Sequence, residues 1–200
     1  MKPPRSLRSL PPKGAPSALG SGPAGAGMSS VPEHSIVVMG VSGCGKSTVG
    51  RSLADALGVD FVEGDALHPP RNVALMAAGT PLTDADRLSW LQALAALLAE
   101  AHAGRRGLVV SCSALKRAYR DVLRSGAPDL RFVYLRGDAS LLEQRLRTRV
   151  DHYMPASLLR SQLDTLEPPG PDEDALTMDI TEPAERIVDA VRRQLLATPA

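Results

Sequence analysis

The stretch VVMGVSGCGKSTVG, Val37 to Gly50, sets four glycines around a single lysine directly after an apolar run. Few folds accommodate such a segment. The Val/Met run reads as a buried strand and the residues from Lys46 onward as a helix. Between them Gly40, Gly45, Lys46 and Ser47 satisfy the pattern GxxxxGK followed by Ser or Thr. The spacing predicts a strand–loop–helix unit whose glycines let backbone N–H groups turn inward. There they join the helix N-terminus in holding phosphate oxygens. Lys46 adds a compact charge at the β and γ phosphates of a nucleotide, and the Ser47 hydroxyl takes one position on Mg²⁺. The expected cradle is Gly40, Val41, Ser42, Gly43, Cys44, Gly45, Lys46, Ser47 and Thr48. Cys44 reads as a small loop residue. A second reading stays open, in which its place at a helix N-terminus lowers its thiol pKa and makes it oxidisable.

The rest of the sequence narrows the class of nucleotide-binding protein. A switch GTPase needs an NKxD guanine reader, and a motor needs an apolar strand ending in Asp-Glu; neither pattern occurs. The strand LVVSCSA, where such a carboxylate would fall, ends in Ser111, Cys112 and Ser113 instead. Small-molecule kinases remain the leading class. With 23 basic and 22 acidic side chains and a net charge of +1, the chain carries no electrostatic footprint for nucleic acid or an anionic membrane. No apolar run approaches the roughly 18 residues of a membrane helix. Cys44 and Cys112 are the two cysteines, too few for a disulfide framework, and two free thiols fit the cytoplasm.

A length of 200 residues allows one well-buried domain. Residues 1–34 differ from the rest of the chain: they are rich in Pro, Gly, Ser and Ala, basic, and without an acid before Glu33. They are expected to be a disordered extension ahead of a domain at 35–200. A transit peptide and a true start at Met28 are the other readings. Beyond residue 34, short apolar runs alternate with segments of helical period, which predicts an α/β fold with a five-stranded parallel sheet flanked by helices. Strands are expected at Ile36–Met39, Phe61–Glu63, Leu108–Cys112, Phe132–Leu135 and Leu176–Ile180. Helices are expected at Lys46–Leu57, Pro70–Ala78, Asp84–His102, Leu115–Leu123, Ala139–Val150, Pro155–Leu166 and Pro183–Leu196. The longest carries Leu88, Leu91, Ala95 and Leu98 on one stripe and Trp90, Leu94, Leu97 and Ala101 on the next. It should be substantially buried. Thr83 and Asp86 have the spacing of a capping box at its start.

The stretch FVEGDALHPPRN delivers Glu63, Asp65, His68, Arg71 and Asn72 at the C-terminal end of the second strand, where open α/β sheets bind ligands. A hydroxyl that accepts a phosphoryl group needs a carboxylate to orient it and take its proton, and Asp65 stands in place to do so. An aspartate beside Gly64 is also an ordinary turn residue. Arg145 and Arg149 lie four apart on one helix face, an unfavourable like-charge pair unless an anion lies between them. Arg147 has an ordinary partner in Glu143.

Five blocks carry a family resemblance: MGVSGCGKSTVG, GDALHPPRN, MAAGTPLTDADRLSWL, CSALKRAYRDVLR and HYMPASLLRSQLDTLEPP. In order and spacing the sequence resembles the small P-loop gluconokinases, relatives of shikimate kinase and the nucleoside monophosphate kinases. The resemblance implies a P-loop kinase fold with a mobile lid near residues 145–155. It also implies ATP- and Mg²⁺-dependent phosphorylation of the 6-hydroxyl of D-gluconate, in a protein of a usually homodimeric family. It makes Asp65 the hydroxyl-orienting carboxylate and puts His68, Asn72, Arg87 and Lys116 around the sugar acid. Lys46, Arg145 and Arg149 would stabilise the transferring phosphoryl group. Arg87 matches the arginine with which shikimate kinases read a carboxylate; the competing reading is a helix-surface arginine paired with Asp84 or Asp86. Lys116 and His152 are the other candidates for that carboxylate. Shikimate or a nucleoside monophosphate is the alternative acceptor. The sequence departs from the family at Glu63, often Asp, at Ala66, and at Asp151, usually Gly.

Overall fold

The computed structural model describes residues 35–148 and 156–197. The expected extension at 1–34 and the segment holding Arg149, Asp151 and His152 lie outside the described residues. Five strands form one parallel sheet: β1 (Ser35–Met39), β2 (Asp60–Glu63), β3 (Leu108–Ser111), β4 (Arg131–Arg136) and β5 (Leu176–Asp179). Their spatial order is β2-β3-β1-β4-β5. All five residues of β1 are buried, with Val37 in register beside Val110 on one side and Phe132 on the other. A central parallel strand is covered on both faces, which is why SIVVM is apolar almost without interruption and shows no alternation. At the edge, β2 is only partly covered.

Parallel neighbours need crossovers, and helices supply them. They are α1 (Lys46–Leu57), α2 (Pro70–Ala77), α3 (Asp84–Ala103), α4 (Arg117–Arg124), α5 (Ala139–Thr148), α6 (Ala156–Thr165) and α7 (Ala184–Ala197). Helix α1 stops at Gly58, whose φ of 69° lets its N–H return to the carbonyls of Ala54 and Asp55. Helix α2 opens on a proline, whose missing N–H costs nothing in the first turn. The capping box of α3 forms as its spacing predicts: the Thr83 hydroxyl accepts from the Asp86 N–H at 3.2 Å, and the Asp86 carboxylate accepts from the Thr83 N–H at 3.0 Å.

Four expectations are corrected. Leu88 is not part of the buried stripe but 46% exposed, in the second turn of a helix whose packing partners are β1, α4 and the turn at 64–67. Helix α4 starts at Arg117 rather than Leu115, because Ala114 takes a left-handed φ of 44° and Lys116 is extended at φ −101° and ψ 152°. Strand β3 ends at Ser111, one residue early. Strand β5 also ends one residue early, at Asp179, and a 3₁₀ turn at Gly64–Leu67 carries Asp65.

That turn is fixed by close approach. A Cβ on Gly64 would sit 2.1 Å from the Ser111 carbonyl oxygen, so only glycine lets β2 pass this near to β3. The Trp90 indole N–H then donates to the Gly64 carbonyl at 2.7 Å, and the core of α3 thereby sets the position of the residue before Asp65. Among the described residues no helix is long and apolar enough to cross a membrane.

Candidate active site

The phosphate loop leaves β1, the Asp65 turn leaves β2, and the Ser113–Lys116 segment leaves β3, so three loops meet at the C-terminal ends of adjacent strands. Beside β1 the connections change sides, with β3 and β2 to one side of it and β4 and β5 to the other, the position at which open sheets hold ligands. Gly40, Gly43 and Gly45 take φ values of 138°, 84° and 96°, the glycine-only geometry that the cradle requires. The Lys46 ammonium donates to the Val41 carbonyl at 3.1 Å. Ser42 donates its N–H to Gln162 Oε1 of α6 at 2.7 Å. Ser47 is half-buried and Thr48 exposed on the first turn of α1. Helix α5 backs the loop: a Cβ on Gly43 would meet Leu146 at 3.1 Å.

The oxidisable reading of Cys44 is overturned. Its thiol is 2% exposed, and burial pushes its pKa up, against the smaller opposing effect of the Lys46 charge. Cys112 is also buried, and desolvation pushes its thiol up to about 12 from 9.0, which cuts its thiolate fraction at neutral pH by about 10³. In the native protein both thiols should therefore react with dithiobis-nitrobenzoate only as fast as the chain unfolds, and both should appear at once in guanidinium. A cysteine that reacts in native buffer within seconds would contradict this burial.

On the acceptor side Asp65 presents an exposed carboxylate. His68 is buried and stacks on Trp90, with ring centroids 4.0 Å apart and planes at 19°. Burial lowers its pKa; the Asp65 charge opposes this and the Arg87 charge adds to it. His68 is thus a neutral imidazole at neutral pH. Asn72 approaches His68 Nδ1 at 3.5 Å and donates to the Asp86 carbonyl at 2.7 Å, which ties α2 to the start of α3.

The two expected cations sit against one ring. The Arg87 guanidinium lies 5.8 Å and the Lys116 ammonium 5.7 Å from the Tyr119 centroid. Arg87 is not a helix-surface arginine: it is 9% exposed, its Nη2 makes a long 3.4 Å contact to the Leu82 carbonyl, and its buried Nε has no hydrogen-bond partner among the described residues. Both carboxylates that could have paired with it on the surface are engaged elsewhere. Asp86 serves the cap and lies 3.5 Å from Arg71. Asp84 accepts from Lys116 at 2.8 and 2.9 Å and from the Tyr119 hydroxyl at 2.5 Å, and these bonds hold its pKa below the usual carboxylate range. Buried at the end of β3, Cys112 feels the charges of Asp65, Lys46 and Arg87 together. Lys46, Asp65 and Arg87 thus all lie in the neighbourhood of the C-terminal end of β3.

Arg145 joins α5 to the segment after β5. Its Nη2 donates to the Ile180 carbonyl just past β5 at 2.6 Å, and its charge is felt at Cys44 beneath the loop. Arg147 pairs with Glu143 at 3.9 Å, as its spacing predicts.

A family model described as an AAA domain matches residues 36–169. The thermoresistant gluconokinase of Escherichia coli (strain K12) is 48% identical over 157 residues, covering 78% of this chain and 89% of that protein. The gluconokinase of Gluconobacter oxydans (strain 621H) is 48% identical over 161 residues, covering 80% and 88%. The chain belongs to the gluconokinase family. The fold agrees: the crystal structure of a gluconokinase from Sinorhizobium meliloti 1021 superposes with a TM-score of 0.75 at 50% identity, covering 83% of this chain and 93% of that one.

Several residues that shape this gluconokinase-family crevice went unread in the sequence. Ser111, where a motor would place a carboxylate, donates to Glu63 and accepts from the Gly64 N–H at 3.2 Å, bracketing β2 to β3. Tyr119 backs both cations. Gln162 and Arg120 act across more than forty residues of sequence. No local pattern announces such contacts.

Proposed function

We propose that the chain transfers the γ-phosphoryl group of ATP to the 6-hydroxyl of D-gluconate, giving 6-phospho-D-gluconate. The observation that carries this reading is the placement of the Lys46 loop and the Asp65 turn at the C-terminal ends of β1 and β2, with the buried Arg87 on α3, in a chain nearly half identical to named gluconokinases. Gly40 to Thr48 would bind the nucleotide phosphates through inward N–H groups, with Lys46 at the β and γ oxygens. Asp65, exposed and opposite that loop, would orient the acceptor hydroxyl and receive its proton. His68, as a neutral ring fixed by Trp90, and Asn72 would hydrogen-bond the sugar hydroxyls. Arg87 would read the carboxylate: a buried guanidinium with a spare donor suits an anion better than a hydroxyl.

No group of three or more His, Cys, Asp or Glu side chains able to hold a metal occurs among the described residues. That suits Mg²⁺, which keeps several waters and is bound largely through substrate phosphates with one or two protein oxygens, here the Ser47 hydroxyl. When bound, Mg²⁺ neutralises charge on the transferring group. Arg145 and Arg149, on a lid near residues 145–155, would add to that stabilisation and exclude water on closure. The same proposal takes 35–200 as the kinase domain, 1–34 as a disordered extension and the cytoplasm as the compartment.

The test is ADP release measured with a panel of acceptors: gluconate, glucose, shikimate and AMP. Gluconate should exceed each of the others in kcat/KM by about 10⁴, because a site built to pair with a substrate group rejects analogues that leave its own donors unpaired. Faster turnover with shikimate or AMP would replace the proposal with that acceptor.

A further inference from the structure

Arg120 of α4 is 1% exposed and donates from all three guanidinium nitrogens. Nε donates to Glu173 Oε2 at 2.6 Å and Nη2 to Glu173 Oε1 at 2.7 Å. Nη1 donates to the carbonyls of Glu167 at 3.0 Å, Ala114 at 3.1 Å and Leu115 at 3.4 Å. Arg124 adds contacts to Glu173 at 3.3 and 3.1 Å. The pair is charged throughout the neutral range, because the hydrogen bonds from Arg120 hold the Glu173 carboxyl down at about 2.

A buried ion pair contributes little stability over an apolar pair of the same volume, so its use lies in the three carbonyls. Ala114 is left-handed at φ 44°, a conformation that alanine adopts only where surroundings hold it. The turn it makes sends the chain into the extended Lys116 that opens α4. Glu167, just past α6, is laced to the same place: its N–H donates to the Leu115 carbonyl at 2.8 Å and its carboxylate accepts from the Arg117 N–H at 2.8 Å. Residues 114–117 thus have their course set by Arg120 from below and by Glu167 from the side.

We propose that Arg120, held by Glu173, is a positioning residue for the acceptor site: it fixes the left-handed turn at Ala114 and so places the Lys116 ammonium and the Tyr119 ring. The inference rests on the reading of this crevice as the gluconate site. Displacement of a binding group by about 1 Å can cost about 10²-fold in rate, so a left-handed turn that carries Lys116, which the family resemblance puts around the sugar acid, needs a rigid support.

Two variants test it. Arg120→Lys keeps a charge opposite Glu173 and loses the planar fork; the pair Arg120→Met with Glu173→Leu removes both charges and keeps the volume. Both should raise KM for gluconate about tenfold or more, while kcat and the Kd for a non-hydrolysable ATP analogue stay within about threefold. The apolar pair should melt below the wild type, because the carbonyls of Ala114 and Glu167 lose their donor, and the unchanged nucleotide Kd is what separates lost positioning from a general loss of structure. In a Lys116→Met background, Arg120→Lys should raise KM by clearly less than it does in the wild type, since part of its effect runs through the lysine. An unchanged KM in Arg120→Lys, equal loss of gluconate and nucleotide affinity, or full additivity with Lys116→Met would each overturn the inference. If the wild type prefers another acceptor, the proposed function falls, and the same measurements with that acceptor still decide the role of Arg120.

Discussion

Asp65→Asn should lower kcat by about 10² to 10⁴ while the Kd for an ATP analogue stays within a few-fold. The variant keeps the size and hydrogen-bonding shape of the side chain, and the turn that carries it is anchored by Gly64 and Trp90 rather than by the carboxylate. Only proton acceptance is lost. Lys46→Ala provides the contrast, because it deletes charge from the cradle and should weaken nucleotide binding and turnover together. Calorimetry with the analogue, beside steady-state rates, separates the two patterns. Near wild-type turnover in Asp65→Asn would remove Asp65 from the chemistry and return it to the role of an ordinary turn residue.

Arg87→Leu should raise KM for gluconate by about 10²-fold, the scale on which a buried charge-assisted contact is lost, and should shrink the preference for gluconate over glucose. Glucose lacks the carboxylate, so its already poor turnover should hardly change. Stability should not fall. The Nε of Arg87 is buried without a partner among the described residues, and replacing such a donor by an apolar group removes a desolvation cost. A variant with wild-type KM and selectivity would shift the carboxylate to Lys116 or His152. Lys116 is the weaker candidate because Asp84 already balances its charge through two hydrogen bonds.

Features legible in the sequence depend on neighbours in the chain. The glycine pattern around Lys46, the Thr83–Asp86 cap and the alternation of apolar runs with helical periods each reflect contacts within a few residues, and each was found where expected. What escaped depends on distant packing. The thiol of Cys44 was ambiguous until the loop was seen folded over it. Helix α4 starts late because Ala114 is left-handed and Lys116 extended, and the carbonyls of Ala114 and Glu167, far apart in the chain, both accept from Arg120. Leu88 fits the apolar arc of α3 as well as Leu91 does, yet the covering elements reach only one of them. The reach of Gln162 to the Ser42 N–H spans 120 positions. Among the site residues, the type and order of Asp65, His68, Asn72 and Arg87 were readable; that Arg87 is buried, and that Asp84 belongs to Lys116, were not.

Phosphorylation of gluconate at its 6-hydroxyl is decided by the identity of the product. The purified chain, given ATP, Mg²⁺ and D-gluconate, is followed by phosphorus and carbon magnetic resonance until ADP stops accumulating. One phosphomonoester should form in step with ADP, its phosphorus coupled to the C6 protons and, among the carbons, to C6 over two bonds and C5 over three, the pattern of an ester at the 6-hydroxyl. ADP with only inorganic phosphate, or a phosphoryl group at any other carbon, would refute it.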